Sequence, residues 1–220
     1  TGSILAGVAV SGIGCGIGWF FIQAYLFGTV LETITNVILG YVPWIASAPI
    51  SSVWGALMMC LTAYYGYKGI AFLSYIGVPL FLIVLGAGTF AAVTEAGGFA
   101  AAAAAVPANP MPMGTAITAV IGMYIAGATI TPDISRFAVT PQAGAWAWFL
   151  QVSLIQPILM LAAGLMTLLT PLSDVVQAMA YLGMGLGALT LVVLGQWTTN
   201  DNNLYDGSLA FVNAVRVKRS

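Results

Sequence analysis

The sequence predicts an all-α integral membrane protein of six crossings, and three observations carry that expectation. Hydrophobic residues make up 60% of the 220 positions and charged residues only 5%, with a mean hydropathy of +1.01. A soluble domain carries roughly 25% charged residues, so this chain could not cover a water-facing surface. Apolar stretches of membrane length, about 20 residues each, recur along the chain between proline, glycine and charged punctuation. With six crossings, Lys68, Arg136, Arg216, Lys218 and Arg219 all fall on one side, and Glu32, Glu95 and Asp174 on the other.

The segments follow in order. The first covers about Ile4–Leu31, the second Ile50–Tyr67 and the third Ile70–Val93; the fourth covers Thr115–Phe137, the fifth Ala143–Leu169 and the sixth Val175–Val215. The sixth is too long for one straight crossing, so it must tilt or its end must leave the hydrocarbon. The first connection holds Gly40, Pro43 and Pro49. The third runs from Glu95 through an alanine tract to Pro107, Pro110 and Pro112, where prolines stop any span. Thr170-Pro171-Leu172-Ser173-Asp174 forms the fifth. No connection reads as a linker, so residues 1–220 are expected to form part of a single transmembrane domain. The chain starts at Thr1 and enters an apolar segment at once, which reads as a piece of a longer protein. By the positive-inside rule the basic side is cytoplasmic, which puts both ends of the chain in the cytoplasm.

Several function classes drop out. Net charge is −1 and no basic patch exists beyond the short tail, so no nucleic-acid partner is expected. There is no His, and Cys15 and Cys60 lie inside apolar segments, so no metal cofactor or disulfide framework is expected. Asp133 and Asp201 do not form a recognisable intramembrane aspartyl pair, so the chain does not read as an enzyme. The wet, proline-broken interior also argues against a purely structural subunit.

The chemistry concentrates late in the chain, at Gly195-Gln196-Trp197-Thr198-Thr199-Asn200-Asp201-Asn202-Asn203-Leu204-Tyr205. A polar run continuing a membrane helix is costly unless something binds there, since an unsatisfied polar group in hydrocarbon costs several kcal/mol. Thr198, Asp201 and Tyr205 share one face; Thr199, Asn202 and Asn203 share an adjoining one. Threonine hydroxyls with backbone carbonyls suit a hard cation such as Na⁺, and asparagines offer paired donors and acceptors. An intramembrane Asp is a functional residue by default.

Two earlier segments could supply other walls. In the first, Gly12, Gly14, Gly16 and Gly18 alternate and allow close helix approach. Trp19 and Gln23 follow, four apart on one face, where an indole and an amide could stack on and hydrogen-bond to a planar heterocycle. Core packing with a bond to a neighbouring helix fits the same spacing. In the fourth, Gly122, Gly127, Pro132 and several hydroxyls weaken the helix around Tyr124, as in transporters that expose free backbone groups near the midplane. A simple proline kink fits equally. Asp133 and Arg136, three apart, are expected to form a local ion pair or a gate contact.

These motifs carry a resemblance. Trp197-Thr198-Thr199-Asn200-Asp201-Asn202 with Leu204-Tyr205 resembles the eighth-helix motif of the nucleobase–cation symport family, whose members include permeases for cytosine, purines, allantoin and hydantoins. Thr131-x-Asp133-x-x-Arg136-Phe137 resembles the end of that family's sixth helix, and Trp19 matches its third-helix tryptophan. The match covers most of the chain, as helices three to eight. It implies a partial LeuT-like inverted-repeat fold, with helices one, two and those after eight outside the chain, so that this piece would not transport alone. It implies that Trp19 and Tyr124 sandwich a base and that Gln23, Asn200 and Asn202 meet its polar edge. Thr198, Thr199 and the Gly195 carbonyl would hold the coupling ion, Na⁺ or H⁺ in its place. Asp133, Arg136 and Asp201 would serve as structural or gate residues.

The sequence departs from the cytosine-transporting pattern at Gly16, where some members carry a binding glutamine, and at Met123 and Ala126, where serines flank the aromatic. The departures leave room for another nucleobase or a hydantoin-like ring. The expected function is secondary active import of a nucleobase by cation symport with alternating access, in a bacterial inner membrane. The rival expectation is a transporter of another small solute, amino-acid-like, on the same fold.

Overall fold

The computed structural model describes residues 4–107 and 110–215, without the side chains of residues 123, 126, 129 and 130. Arg216, Lys218 and Arg219 lie outside the described residues, as do the side chains of Met123 and Ala126. All regular structure among the described residues is helical. The helices are α1 (Ile4–Leu39), α2 (Ala48–Tyr64), α3 (Tyr67–Glu95), the short α4 (Phe99–Ala104), α5 (Met113–Ser135), α6 (Pro141–Leu169), α7 (Val175–Tyr181) and α8 (Gly185–Val215). By length and composition α1, α3 and α6 can each cross a membrane; α2 and the Met113–Gly122 part of α5 are apolar but shorter. In α8 the polar run dilutes the apolar character that length alone would confer.

α1 continues well past the Leu31 expected from sequence and stops at Gly40, whose φ of 75° ends the helix with its N–H on the Asn36 carbonyl at 2.9 Å. Its glycine-rich stretch Val8–Trp19 winds as wide π turns rather than α turns. Glycine is a poor α-helix former, and π turns in helices are associated with functional sites. Here the glycines let α8 come close. A Cβ on Gly16 would stand 2.8 Å from the Gly207 Cα, and one on Gly207 would stand 2.4 Å from the Gly16 Cα. Two backbones meet with nothing between them. The Gly16 departure noted above therefore has a physical reason in this structure: a longer side chain there would strike the backbone of α8.

α5 corrects an expectation. It runs unbroken from Met113 to Ser135, through Pro132, so the discontinuity expected near Tyr124 is absent. Proline removes one intrahelical donor, but the helix recovers at once, with the Arg136 N–H on the Pro132 carbonyl at 3.2 Å. α6 shows the opposite behaviour. Residues Gln151–Ile155 open into π turns just before Pro157, the usual relief of the clash between a proline ring and the preceding turn.

The sixth expected segment is two helices. α7 ends where Gly183 adopts φ 76°, with the Gly183 N–H on Ala180 and the Met184 N–H on Met179 at 3.0 and 2.9 Å. That is a glycine-terminated Schellman end. α8 then starts afresh. At 31 residues it is about 46 Å long, still more than the roughly 30 Å of a bilayer core.

The core is built from Phe20, Phe27 and Ile34 of α1, Met59 of α2, Leu85 of α3, Met166 of α6, Met179 of α7 and Val192 of α8. A smaller cluster, Ile70, Tyr205 and Leu209, packs with Tyr67 and Ile134 where α3, α5 and α8 meet. Small residues set the helix spacing, as expected where lipid removes the hydrophobic drive between helices. Gly28, for instance, lies directly on the Ser52 side chain and the Ala48 carbonyl of α2. At that same corner the Ala48 N–H donates to the Glu32 carboxylate.

Candidate functional site

The polar run of α8 turns three faces to three neighbours. Toward α2, the Trp197 indole N–H donates to the Thr62 hydroxyl at 2.8 Å. Asp201, one turn on, is fully buried with its carboxylate close to the same threonine hydroxyl and to the Asn202 backbone, short of full hydrogen-bond geometry. The Thr62 hydroxyl donates to the Met59 carbonyl at 3.0 Å instead.

Toward α1, Asn200 is fully buried. Its amide N–H donates to the Phe20 carbonyl at 3.1 Å and lies 3.2 Å from the Met59 sulfur, while its carbonyl oxygen has no partner. The bond fixes α8 against the backbone directly beside Trp19. Asn200→Ala should therefore lower the stability of the full-length parent by about 1–3 kcal/mol, the usual cost of breaking a buried hydrogen bond. A thermal-shift measurement checks it, and an unchanged melting temperature would remove the anchoring role.

Toward the third face, Asn202 donates to the Thr198 carbonyl at 2.6 Å and lines a cavity of about 640 Å³ between α3, α5, α6 and α8. Tyr67, Thr131, Trp148 and Gln151 line it too, and so does Asp206. Asp206 is fully buried, both oxygens unpartnered. Reading the sequence missed this residue. The signal was present, because Asp206 follows Asn202 by four and so shares its face, but the polar run was followed only as far as Tyr205.

The threonines proposed as cation ligands bond back to carbonyls of their own helix, as threonines in helices commonly do. Thr198 and Thr199 both donate to the Gly195 carbonyl, at 3.3 and 2.8 Å, and Thr198 also reaches the Leu194 carbonyl at 2.8 Å. The result is an all-oxygen cluster of two hydroxyls around carbonyls, the donor type hard cations take. Among the described residues no group of three or more His, Cys, Asp or Glu could hold a metal ion.

The expected base-binding residues are dispersed. Trp19 is 42% exposed at the end of the π stretch of α1, with Gln23 half-buried one turn on. Neither side chain hydrogen-bonds to a described residue, so the expected alternative, a glutamine tied to a neighbouring helix, is not what the structure shows. Tyr124 is half-buried on α5, which packs chiefly on α6. The structure does not bring the Tyr124 and Trp19 rings into contact.

Asp133 and Arg136 do not pair. Arg136 donates to the Tyr205 hydroxyl at 2.8 Å and lies over the Phe137 ring at 4.9 Å, tying the end of α5 to α8. Phe137 in turn stacks on Tyr67, with centroids 4.0 Å apart and planes 13° from parallel. Lys68, Phe137 and Tyr205 line one further cavity, which places Lys68 and the end of α5 at the same end of the bundle.

No family model matches the chain. Curated proteins do: the cytosine permeases of three Escherichia coli strains are each 30% identical to it over 204 residues, which is 91% of this chain and 46% of the relative. The chain is thus similar to cytosine permeases and spans about half the length of these relatives.

Proposed function

We propose that the chain is part of an integral membrane transporter that imports a nucleobase in symport with a cation, by alternating access. The substrate is cytosine or a related pyrimidine, purine or hydantoin. The observation that carries the proposal is the crossing of α1 and α8, where Asn200 clamps the backbone beside Trp19 while Trp19 and Gln23 keep their polar and ring surfaces free. The likeness to cytosine permeases supports the same reading. In it, Trp19 stacks on the base and Gln23, Asn200 and Asn202 meet its polar edge. The orphaned Asn200 carbonyl oxygen suits a base N–H donor. Tyr124 supplies the opposite ring in this reading, although the structure keeps the two rings apart. Segments of the parent outside this chain complete the walls.

Thr198, Thr199 and the Gly195 carbonyl take the co-transported Na⁺. Arg136, with Asp133 near it, gates one end through Tyr205, and Asp201 organises the α2–α8 contact. The protein sits in a bacterial inner membrane with the Lys68 end cytoplasmic.

The test is uptake of labelled bases by the full-length parent, with and without a Na⁺ gradient. Saturable uptake of at least one pyrimidine, purine or hydantoin is expected. Its absence, together with stabilisation by an amino acid in a thermal-shift screen, would move the chain to another solute class. Thr199→Ala should raise the Na⁺ concentration for half-maximal uptake roughly tenfold, the equivalent of one lost ligand at about 1.4 kcal/mol. An unchanged Na⁺ dependence would remove the assignment.

A further inference from the structure

We propose that Asp206 is a second cation site, separate from the threonine cluster, on which an exchangeable monovalent cation, a proton or an alkali ion, neutralises the carboxylate. The inference rests on the transport reading only for its biological meaning; the site itself follows from geometry. Asp206 lies seven residues beyond Thr199 on α8, about 10 Å along the helix axis, so the two sites are distinct. It is fully buried, both of its oxygens lack a hydrogen-bond partner among the described residues, and it lines the 640 Å³ cavity with Asn202. A bare carboxylate in a low-dielectric interior is untenable; it must pair, bind a cation or take up a proton.

No fixed partner does this job. The charged and titratable groups facing Asp206 are Cys15 from α1, Tyr67 from α3, and Asp133 and Arg136 from α5. On its own helix Tyr205 is adjacent, and Asp201 lies on the face turned to α2. The α6 residues lining the cavity, Trp148 and Gln151 among them, are not titratable. Arg136 is in electrostatic range but spends its guanidinium on the Tyr205 hydroxyl, and Asp133 adds repulsion. Arg136 bonds the Tyr205 hydroxyl while both Asp206 oxygens stay unpartnered, so a cation on Asp206 would compensate its charge without disturbing the tie between α5 and α8.

The experiment uses the full-length parent, reconstituted in lipid, and compares wild type with Asp206→Asn, a near-isosteric change. Infrared difference spectra are recorded across pH steps without alkali ions, and then on adding Na⁺ or K⁺ at fixed pH. The expected result is a carboxyl signal in the wild type that is absent from Asp206→Asn, while both proteins keep the same melting temperature. A response to pH alone identifies the proton as the ligand; a response to Na⁺ or K⁺ at fixed pH identifies an alkali ion. Identical spectra for the two proteins would overturn the proposal. This readout needs no transported base, so it stands or falls independently of the transport assignment. Where a base is known, its affinity in the wild type should change by up to about tenfold per pH unit if one proton is linked, and stay flat in Asp206→Asn.

Discussion

Gly207→Val in the full-length parent should leave little folded protein. The reason is the absence of space. A Cβ at 207 stands 2.4 Å from the Gly16 Cα and 3.0 Å from the Gly16 nitrogen, and these are backbone atoms that cannot rotate away. Relief requires α1 and α8 to separate along their length. Overpacking a tight contact costs about 1–3 kcal/mol where side chains can yield, and more where they cannot. In a bilayer close packing is itself a main force holding helices together. Separation would also break the Asn200 bond to Phe20. Gly16→Gln strikes the same contact from the other side, with its Cβ 2.8 Å from the Gly207 Cα, so the two changes together should cost less than their sum. Gly86→Val is the control, since a Cβ there meets nothing within 4 Å. Thermal unfolding followed by size exclusion checks the series. A wild-type melting temperature for Gly207→Val would mean the crossing is looser than the structure shows.

That contact illustrates what could be read in advance. Alternating glycines in the first segment announced close helix approach, because a residue without a side chain in an apolar helix has few other uses. The partner could not be read, because Gly207 lies 191 residues away and nothing local marks it. The threonine cluster was legible for a similar reason: i, i+3 and i+4 spacing brings Gly195, Thr198 and Thr199 together on any helix. The break at Leu182–Met184 was hidden. It sits inside an apolar run without proline or charge, and what marks it is the positive φ of Gly183, which the sequence does not display. Around Pro132 the residues allowed either a broken helix or a simple proline position near a helix end, and the unbroken helix excludes the first, since one missing donor there does not break it. The spacing of Asp133 and Arg136 fits a local ion pair or a gate contact, and tertiary geometry excludes the first by placing Arg136 on Tyr205, 69 residues on. Asp206 lies one residue past the motif, and a buried orphan carboxylate becomes visible only once the neighbouring helices are in place.

Trp19→Ala should weaken binding of the transported base by about 5- to 150-fold, since stacking a base on an aromatic ring contributes roughly 1–3 kcal/mol. The structure sharpens why this change separates function from fold. Trp19 is 42% exposed, and its indole N–H makes no bond to a described residue. Truncating it therefore removes little packing, and the melting temperature of the ligand-free parent should stay near wild type. Its neighbour behaves differently. Phe20 is buried in the core and its carbonyl accepts from Asn200, so Phe20→Ala should unfold before it affects any ligand. The two adjacent residues thus predict opposite signatures: lost affinity with intact stability at 19, lost stability at 20. Trp19→Phe should recover much of the affinity, because a ring remains to stack. Equilibrium binding to the full-length parent, measured beside thermal unfolding, reads both quantities. Wild-type affinity in Trp19→Ala would remove the stacking role and leave the exposed indole as a lipid- or helix-facing side chain. Lost stability in that variant would show that the ring is packing material contributed to a neighbour, and that the open face of α1 is an interface between helices.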